Sequence, residues 1–192
     1  MKQQIRVCGI DDAPFEFKNR ASKAIVIGTV VRIPSYLEGI LRFEVTVDGD
    51  DSTSEIKRSI TKSRFFDQIK AIMIDGIALA GFNVIDIGLL SESMRIPVIT
   101  VTRDRPDMEA IRNALLEYFD DGEERFAQIS KLPVKAVGTS HNPIFVSCAG
   151  IEFSEAVEII RASTVRGVVP EPIRMAHIIA SGVVKGESKG KA

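Results

Sequence analysis

Six aspartates stand where an apolar or alternating run gives way to turn-forming residues: Asp11 and Asp12, then Asp48, Asp50 and Asp51, then Asp75. Carboxylates gathered from neighbouring strand ends can hold a divalent cation. Magnesium takes oxygen ligands, polarises a phosphate and lowers the pKa of an attacking water, so such a cluster points to phosphodiester hydrolysis. Asp11 and Asp75 make the best pair, provided the strands that carry them are sheet neighbours. Aspartates at 48, 50 and 51 serve equally as turn formers and helix caps, which is the commoner use of the residue in such places. Of the two histidines, His141 sits in the loop Gly138-Thr139-Ser140-His141-Asn142-Pro143, and His177 lies on an otherwise apolar helix pattern, where a histidine usually packs. Cys8 and Cys148 have apolar neighbours and no metal-ligand spacing, and they read as small buried hydrophobes.

The elements that must position these groups follow from periodicity. Strand patterns cover Ile5–Ile10, Ala24–Arg32 and Gly39–Val47, and the short turns between them predict an antiparallel meander. In the third, Leu41, Phe43, Val45 and Val47 alternate with Ile40, Arg42, Glu44 and Thr46, so one face is apolar and the other half exposed. A helix capped by Ser52 or Thr53 follows, with Ile56 and Ile60 on its apolar stripe. The run Ile69–Ile74 predicts a strand buried on both faces and ending at Asp75-Gly76. A helix at Val84–Met94, a strand at Ile96–Thr102 ending on Arg103, a helix from Pro106 to Phe119 and a second helical piece after Asp121-Gly122 come next. A strand at Ile144–Ser147, a helix at Phe153–Ser163 and a final helix introduced by Pro170-Glu171-Pro172 close the pattern. Three antiparallel strands followed by parallel strand and helix units is the order of a ribonuclease H-like α/β mixed sheet. It predicts a single domain over residues 1–185 and a disordered Lys, Gly and Ser tail over 186–192.

Composition narrows the functional classes. Hydrophobic residues are 45% and charged residues 27% of 192, and no apolar run approaches the roughly 20 residues of a membrane span. Met1–Val7 lacks an apolar leader core, so a reducing cytoplasm is expected. The net charge of −1 supplies no global field for a polyanion. Basic groups do cluster locally, at Lys57, Arg58, Lys62 and Arg64 and at Arg103 with Arg105, where a solvated surface is the ordinary role.

Four blocks resemble endonuclease V, a metal-dependent repair nuclease that cleaves near deaminated adenine. Gly9-Ile10-Asp11 is similar to its first-strand Gly-Val-Asp, and Ile74-Asp75-Gly76 to its fourth-strand Val-Asp-Gly. Pro97 to Arg103 resembles its Pro-Thr-Ile-Gly-Val-Ala-Lys strand. Pro170 to His177 nearly repeats its Pro-Glu-Pro-Thr-Arg-Leu-Ala-His, and is the most specific of the four. As a whole the chain is more similar to an archaeal family related to endonuclease V, the domain of unknown function 99 group. That likeness rests on Asp48-Gly49-Asp50-Asp51, on Asp75 to Asn83 and on the Pro-Glu-Pro ending.

The resemblance implies that Asp11 and Asp75 bind magnesium or manganese, that Arg103 replaces an active-site lysine, and that His177 is catalytic. The third carboxylate of endonuclease V, an early-helix glutamate, has no clean counterpart, and Asp51 is its nearest substitute. The Tyr-Ile-Pro-Gly wedge that parts DNA strands is absent from its place before the first helix; Tyr36-Leu37-Glu38-Gly39 is similar but precedes the third strand. Ala78 and Gly81 fill positions that are Gly and His in endonuclease V. The expected function is a metal-dependent phosphodiesterase acting on DNA or RNA. A non-catalytic module binding nucleic acid or protein on the same scaffold, and a hydrolase of small phosphorylated metabolites, are the alternatives.

Overall fold

The structure is a computed structural model and describes residues 4–16 and 22–188. Residues 189–192 of the expected tail lie outside the described residues, and α6 (Glu171–Lys185) ends just before it at Gly186, whose φ of 78° closes the helix. A seven-stranded sheet has the order β3-β2-β1-β4-β7-β9-β8. Its first half is the expected meander, with β1 (Arg6–Asp12), β2 (Lys23–Arg32) and β3 (Tyr36–Thr46) pairing antiparallel. β4 (Ile69–Asp75) then inserts parallel beside β1, and β7 (Val98–Thr102) parallel beside β4. This is the ribonuclease H-like arrangement. The parallel series stops there: β9 (Ile144–Ala149) runs antiparallel to β7, and the short β8 (Lys135–Val137), which has no signature of its own in the sequence, pairs antiparallel with β9.

Alternation along the strands sorts side chains onto two covered faces. Cys8, Ile10, Ile72 and Ile74 join the cluster containing Ile56 and Ile60 of α1 (Ser52–Thr61) and Leu90 of α2 (Ile87–Met94). Val7, Ala71, Met73, Ile99 and Val101 point the other way, toward Ile159 and Ile160 of α5 (Phe153–Ser163) and Ile173 of α6. A smaller cluster seats α3 (Met108–Tyr118) and α4 (Gly122–Ser130) through Leu115 and Ile129 against Val84. Asp107, rather than Pro106, opens α3, accepting from the Ala110 amide at 3.0 Å. No helix among the described residues is long and apolar enough to cross a membrane.

A tiny hairpin, β5 (Ala78–Leu79) with β6 (Asn83–Val84), fills the stretch after β4. Two turns lock it to the β3–α1 connection. The Asp48 carboxylate accepts from the Phe82 amide at 2.9 Å, and the Asp48 amide donates to the Ala80 carbonyl at 2.9 Å. Gly81 has φ 91°, and a Cβ there would stand 2.3 Å from Asp48 Oδ1, so both its conformation and its neighbour require glycine. Arg125 of α4 binds the knot together: its Nη1 donates to the carbonyls of Asp48, Gly49 and Phe82 at 3.0, 2.8 and 2.7 Å, and its guanidinium lies 4.5 Å from the Phe119 ring centroid. Replacing Arg125 with Ala leaves three inward carbonyls short of a donor. The expected loss is about 2–4 kcal/mol of folding stability, measured by urea unfolding, with Arg125→Lys recovering only part because it lacks the planar fork.

Candidate metal centre

Asp11 is the penultimate residue of β1 and Asp75 the last of β4. The parallel register pairs Ile10 with Ile74, so the two aspartates follow side by side at the carboxyl edge of the sheet. Strand alternation puts both on the face that carries Val7 and Met73, beneath α6. Arg103, one residue beyond β7, continues the alternation of Ile99 and Val101 on that face. Asp12 has the opposite parity, and its carboxylate accepts from the Ala80 amide on the other side of the sheet.

The fourth member comes from the far end of the chain. α6 lies directly on β1 because Gly9 has no side chain: a Cβ there would stand 2.1 Å from the Pro172 carbonyl carbon and 2.7 Å from the Ile173 nitrogen. Thr29 Oγ1 donates to the Pro172 carbonyl at 2.7 Å, pinning the same turn to β2. The start of the helix is further held by Glu171, buried and forked onto Arg174 at 2.7–3.0 Å. So anchored, α6 brings His177 over Asp11, with Nδ1 2.8 Å from Asp11 Oδ2. Ligand atoms of Asp11, Asp75 and His177 all lie within 4.8 Å of one another. Two oxygens each 2.0–2.6 Å from one ion are at most about 5 Å apart, so the group is sized for a single divalent cation. The two carboxylates supply the oxygen ligands that suit magnesium or manganese, with the His177 imidazole, tied to Asp11 through Nδ1, beside them.

Electrostatics mark the same spot. Burial, reinforced by the neighbouring Asp11 charge, pushes the Asp75 carboxyl up to about 7 against the opposing pull of Arg103 and His177. Burial and Asp11 likewise push Asp12 up to about 6. The hydrogen bond to Asp11 raises the His177 imidazole above its ordinary value, outweighing partial burial. A buried carboxyl held up by desolvation beside a second carboxylate is what a bound cation would relieve.

Asp51 stands apart from this group. It occupies the N-cap position of α1, where Ser52 or Thr53 was expected, but its carboxylate does not cap the helix. One oxygen accepts from the Thr46 amide at 2.9 Å and Asn83 Nδ2 at 2.7 Å, the other from Thr46 Oγ1 at 2.7 Å and Lys23 at 2.9 Å. Burial alone would raise its pKa, but these four donors hold it well below the carboxylate range. Asn83 also takes over the capping, accepting from the Ser52 amide at 2.9 Å. The sequence reading missed Asn83, although it ends the block from Asp75. Asp51→Ala is expected to cost about 2–3 kcal/mol at pH 7 while keeping the full metal-induced rise in Tm, which differential scanning fluorimetry measures. Because its folded pKa is lowered, that stabilisation is complete above about pH 4 and disappears as pH falls through the folded value. Tyr36, exposed at the start of β3, is at the opposite end of the sheet, since Arg32 beside it pairs with Arg6 at the amino end of β1. It therefore cannot serve as a wedge beside this centre.

The endonuclease dU family model matches residues 3–184. The chain belongs to that family. The match runs from before β1 to the last turn of α6, so the stretch shared with the endonuclease dU family spans the elements that carry the centre. A UPF0215 protein of Methanothermobacter thermautotrophicus is 45% identical, covering 100% of this chain and 94% of its own. A protein of unknown function from Archaeoglobus fulgidus has a crystal structure that superposes with a TM-score of 0.83 at 34% identity, over 94% of this chain and 98% of that one. Ciona intestinalis endonuclease V, solved with a 24mer DNA containing an inosine followed by a ribo-adenosine, superposes with a TM-score of 0.66 at 16% identity, over 97% and 88%. The endonuclease dU family thus shares the endonuclease V fold, as the sequence resemblance implied.

Proposed function

We propose that the chain is a divalent-metal-dependent endonuclease acting on nucleic acid, with Asp11 and Asp75 as metal ligands. The observation that carries this reading is the convergence of Asp11, Asp75 and His177 within 4.8 Å at the carboxyl edge of the sheet. A bound magnesium or manganese ion would neutralise the scissile phosphate and acidify a water beside it. Asp11 holds the His177 ring by Nδ1, which fixes the tautomer and leaves Nε2 as the atom that takes or delivers a proton. Arg103 offers a guanidinium that can bind a phosphate by two parallel hydrogen bonds at the end of β7.

The family description supports DNA carrying deoxyuridine as the first substrate to test, and the inosine-bearing DNA of the Ciona structure supplies the second. Labelled duplex and single-stranded oligonucleotides with one deoxyuridine, one deoxyinosine or neither are incubated with manganese, magnesium or EDTA and resolved on denaturing gels. The expected result is a single nick at or beside the modified base, dependent on metal. Arg103→Ala should weaken binding uniformly and flatten the salt dependence by about one counterion. Binding without nicking in either metal would leave a non-catalytic module. Hydrolysis of small phosphate esters with no oligonucleotide binding at low salt would replace the reading with a metabolite hydrolase.

A further inference from the structure

From β3 we infer that this chain self-associates through its free sheet edge into a two-fold dimer centred on Phe43. The inference does not depend on the metal centre. β3 is the outermost strand of the sheet on its side, and among the described residues nothing pairs with its outer edge. At 11 residues it is about twice the usual strand length, whereas edge strands that stay solitary are kept short or broken. The opposite edge, β8, has three residues. Around the outer strand Tyr36, Leu37 and Ile40 are 68%, 37% and 51% exposed, an apolar border that water alone does not favour.

The charges on the strand choose both the occupant and the register. α6 covers β1 and β2 on its side, where Thr29 meets the Pro172 carbonyl. Thr29 pairs with Ile40, Ile27 with Arg42 and Ile25 with Glu44, so Ile40, Arg42 and Glu44 present the uncovered part of that face. Pairing with β2 is regular from Gly39 to Thr46, and a bulge lies between Gly39 and Leu37. When two copies of such a strand pair about a two-fold axis, directly opposite residues must share a face, so the summed residue numbers of each pair must be even. Two registers use nearly all of the regular run. A sum of 84 sets Arg42 against the partner's Arg42. A sum of 86 sets Phe43 against the partner's Phe43, Leu41 against the partner's Val45, and Arg42 against the partner's Glu44, twice over by symmetry. Arg42 and Glu44 already form an ion pair at 2.9 Å within the strand, with side chains 54% and 44% exposed, and the second register closes the two pairs into a four-charge ring. A partner of unrelated sequence has no reason to match this alternation, while a second copy carries the complementary charges in the register that sums to 86.

Sedimentation velocity on the full chain across the micromolar range tests the inference. The wild type is expected to be a concentration-dependent dimer. Glu44→Arg, which puts like charges opposite, should weaken association by about 100-fold or more, and the swap Arg42→Glu/Glu44→Arg should restore it to within about threefold of wild type. Far-ultraviolet circular dichroism checks that each variant is folded, and Arg42→Glu alone substitutes for Glu44→Arg if that variant unfolds. A wild type that stays monomeric throughout overturns the inference and leaves the edge to another partner. A dimer indifferent to Glu44→Arg, or one that the swap does not restore, overturns the Phe43-centred pairing.

Discussion

Asp75→Asn is expected to abolish metal-dependent cleavage, by about 1,000-fold or more, while making the metal-free protein more stable. The loss follows because half of the carboxylate pair disappears, and a metal supplies several kcal/mol of transition-state stabilisation at about 1.4 kcal/mol per tenfold in rate. The gain follows from linkage. In the unfolded chain the Asp75 carboxyl titrates near 4, whereas in the fold burial and the Asp11 charge push it up to about 7. Between those values the folded state binds more protons, so stability falls as pH rises from about 4 and the cost is fully present above about 7. Asparagine carries no such cost, and at pH 8 the metal-free variant should be more stable by on the order of 2–4 kcal/mol, about 5–10 °C in Tm. Manganese should raise the Tm of the wild type and leave the variant unmoved. His177 contributes in the same pH range: its folded pKa is raised, so its bond to Asp11 stabilises fully below about pH 6.5 and is lost as pH climbs through the folded value. Thermal scans from pH 5 to pH 9, with and without manganese, test all of these together. A wild-type Tm indifferent to manganese, or an Asp75→Asn protein that still responds, would count against the site.

The second large effect is expected at Gly9, which touches no ligand. Gly9→Ala places a methyl carbon 2.1 Å from the backbone of α6, where no flexible side chain can yield, so the helix must rise from the sheet by an ångström or more. His177 rides on that helix, and a displacement of about 1 Å at a catalytic group can cost about 100-fold in rate. The variant should also lose about 3 kcal/mol or more of stability through strain and disturbed packing. Thr29→Val separates the two effects, because it removes only a hydroxyl, bonded to the Pro172 carbonyl at 2.7 Å and grazing that of Gly9 at 3.5 Å, and should cost about 1 kcal/mol with the helix in place. Cleavage rates that fall with Gly9→Ala and hold with Thr29→Val would identify helix position, rather than stability, as the controlling quantity. Equal rates in Gly9→Ala and wild type would remove His177 from the chemistry.

The meeting of Asp11 and Asp75 at one sheet edge was legible because strand alternation and the polar residue closing a buried run are local signals, and the parallel pairing of β1 with β4 is common to sheets of this order. The role of Asp51 was not legible. Its carboxylate is claimed by Lys23, Thr46 and Asn83, partners 28, 5 and 32 residues away, and no spacing rule distinguishes such a knot from an open ligand. The strand at Ile69–Ile74 was recognised to within a residue, but the hairpin that follows is two residues wide on each side and lacks a periodicity to detect. Its presence is dictated by Arg125 and Asp48, which reach it from elsewhere in the chain. Likewise the reversal of direction at β9 depends on how β8 and β9 fold back on each other, which an apolar run such as Ile144–Ser147 does not encode.

The contact between His177 and Asp11 spans 166 residues of sequence, which gives the centre a place in the folding order. Contacts of such separation close late, after the loops between them have been organised, because the entropy of closure must be met before the contact rewards it. During synthesis the two carboxylates emerge with β1 and β4 well before α6 exists. A nascent chain thus exposes an acidic pair with no histidine over it, and on the proposed reading it is inert toward nucleic acid. On that reading, hydrolytic competence would come only with the docking of α6 onto Gly9, and the order of folding would itself guard against premature cutting.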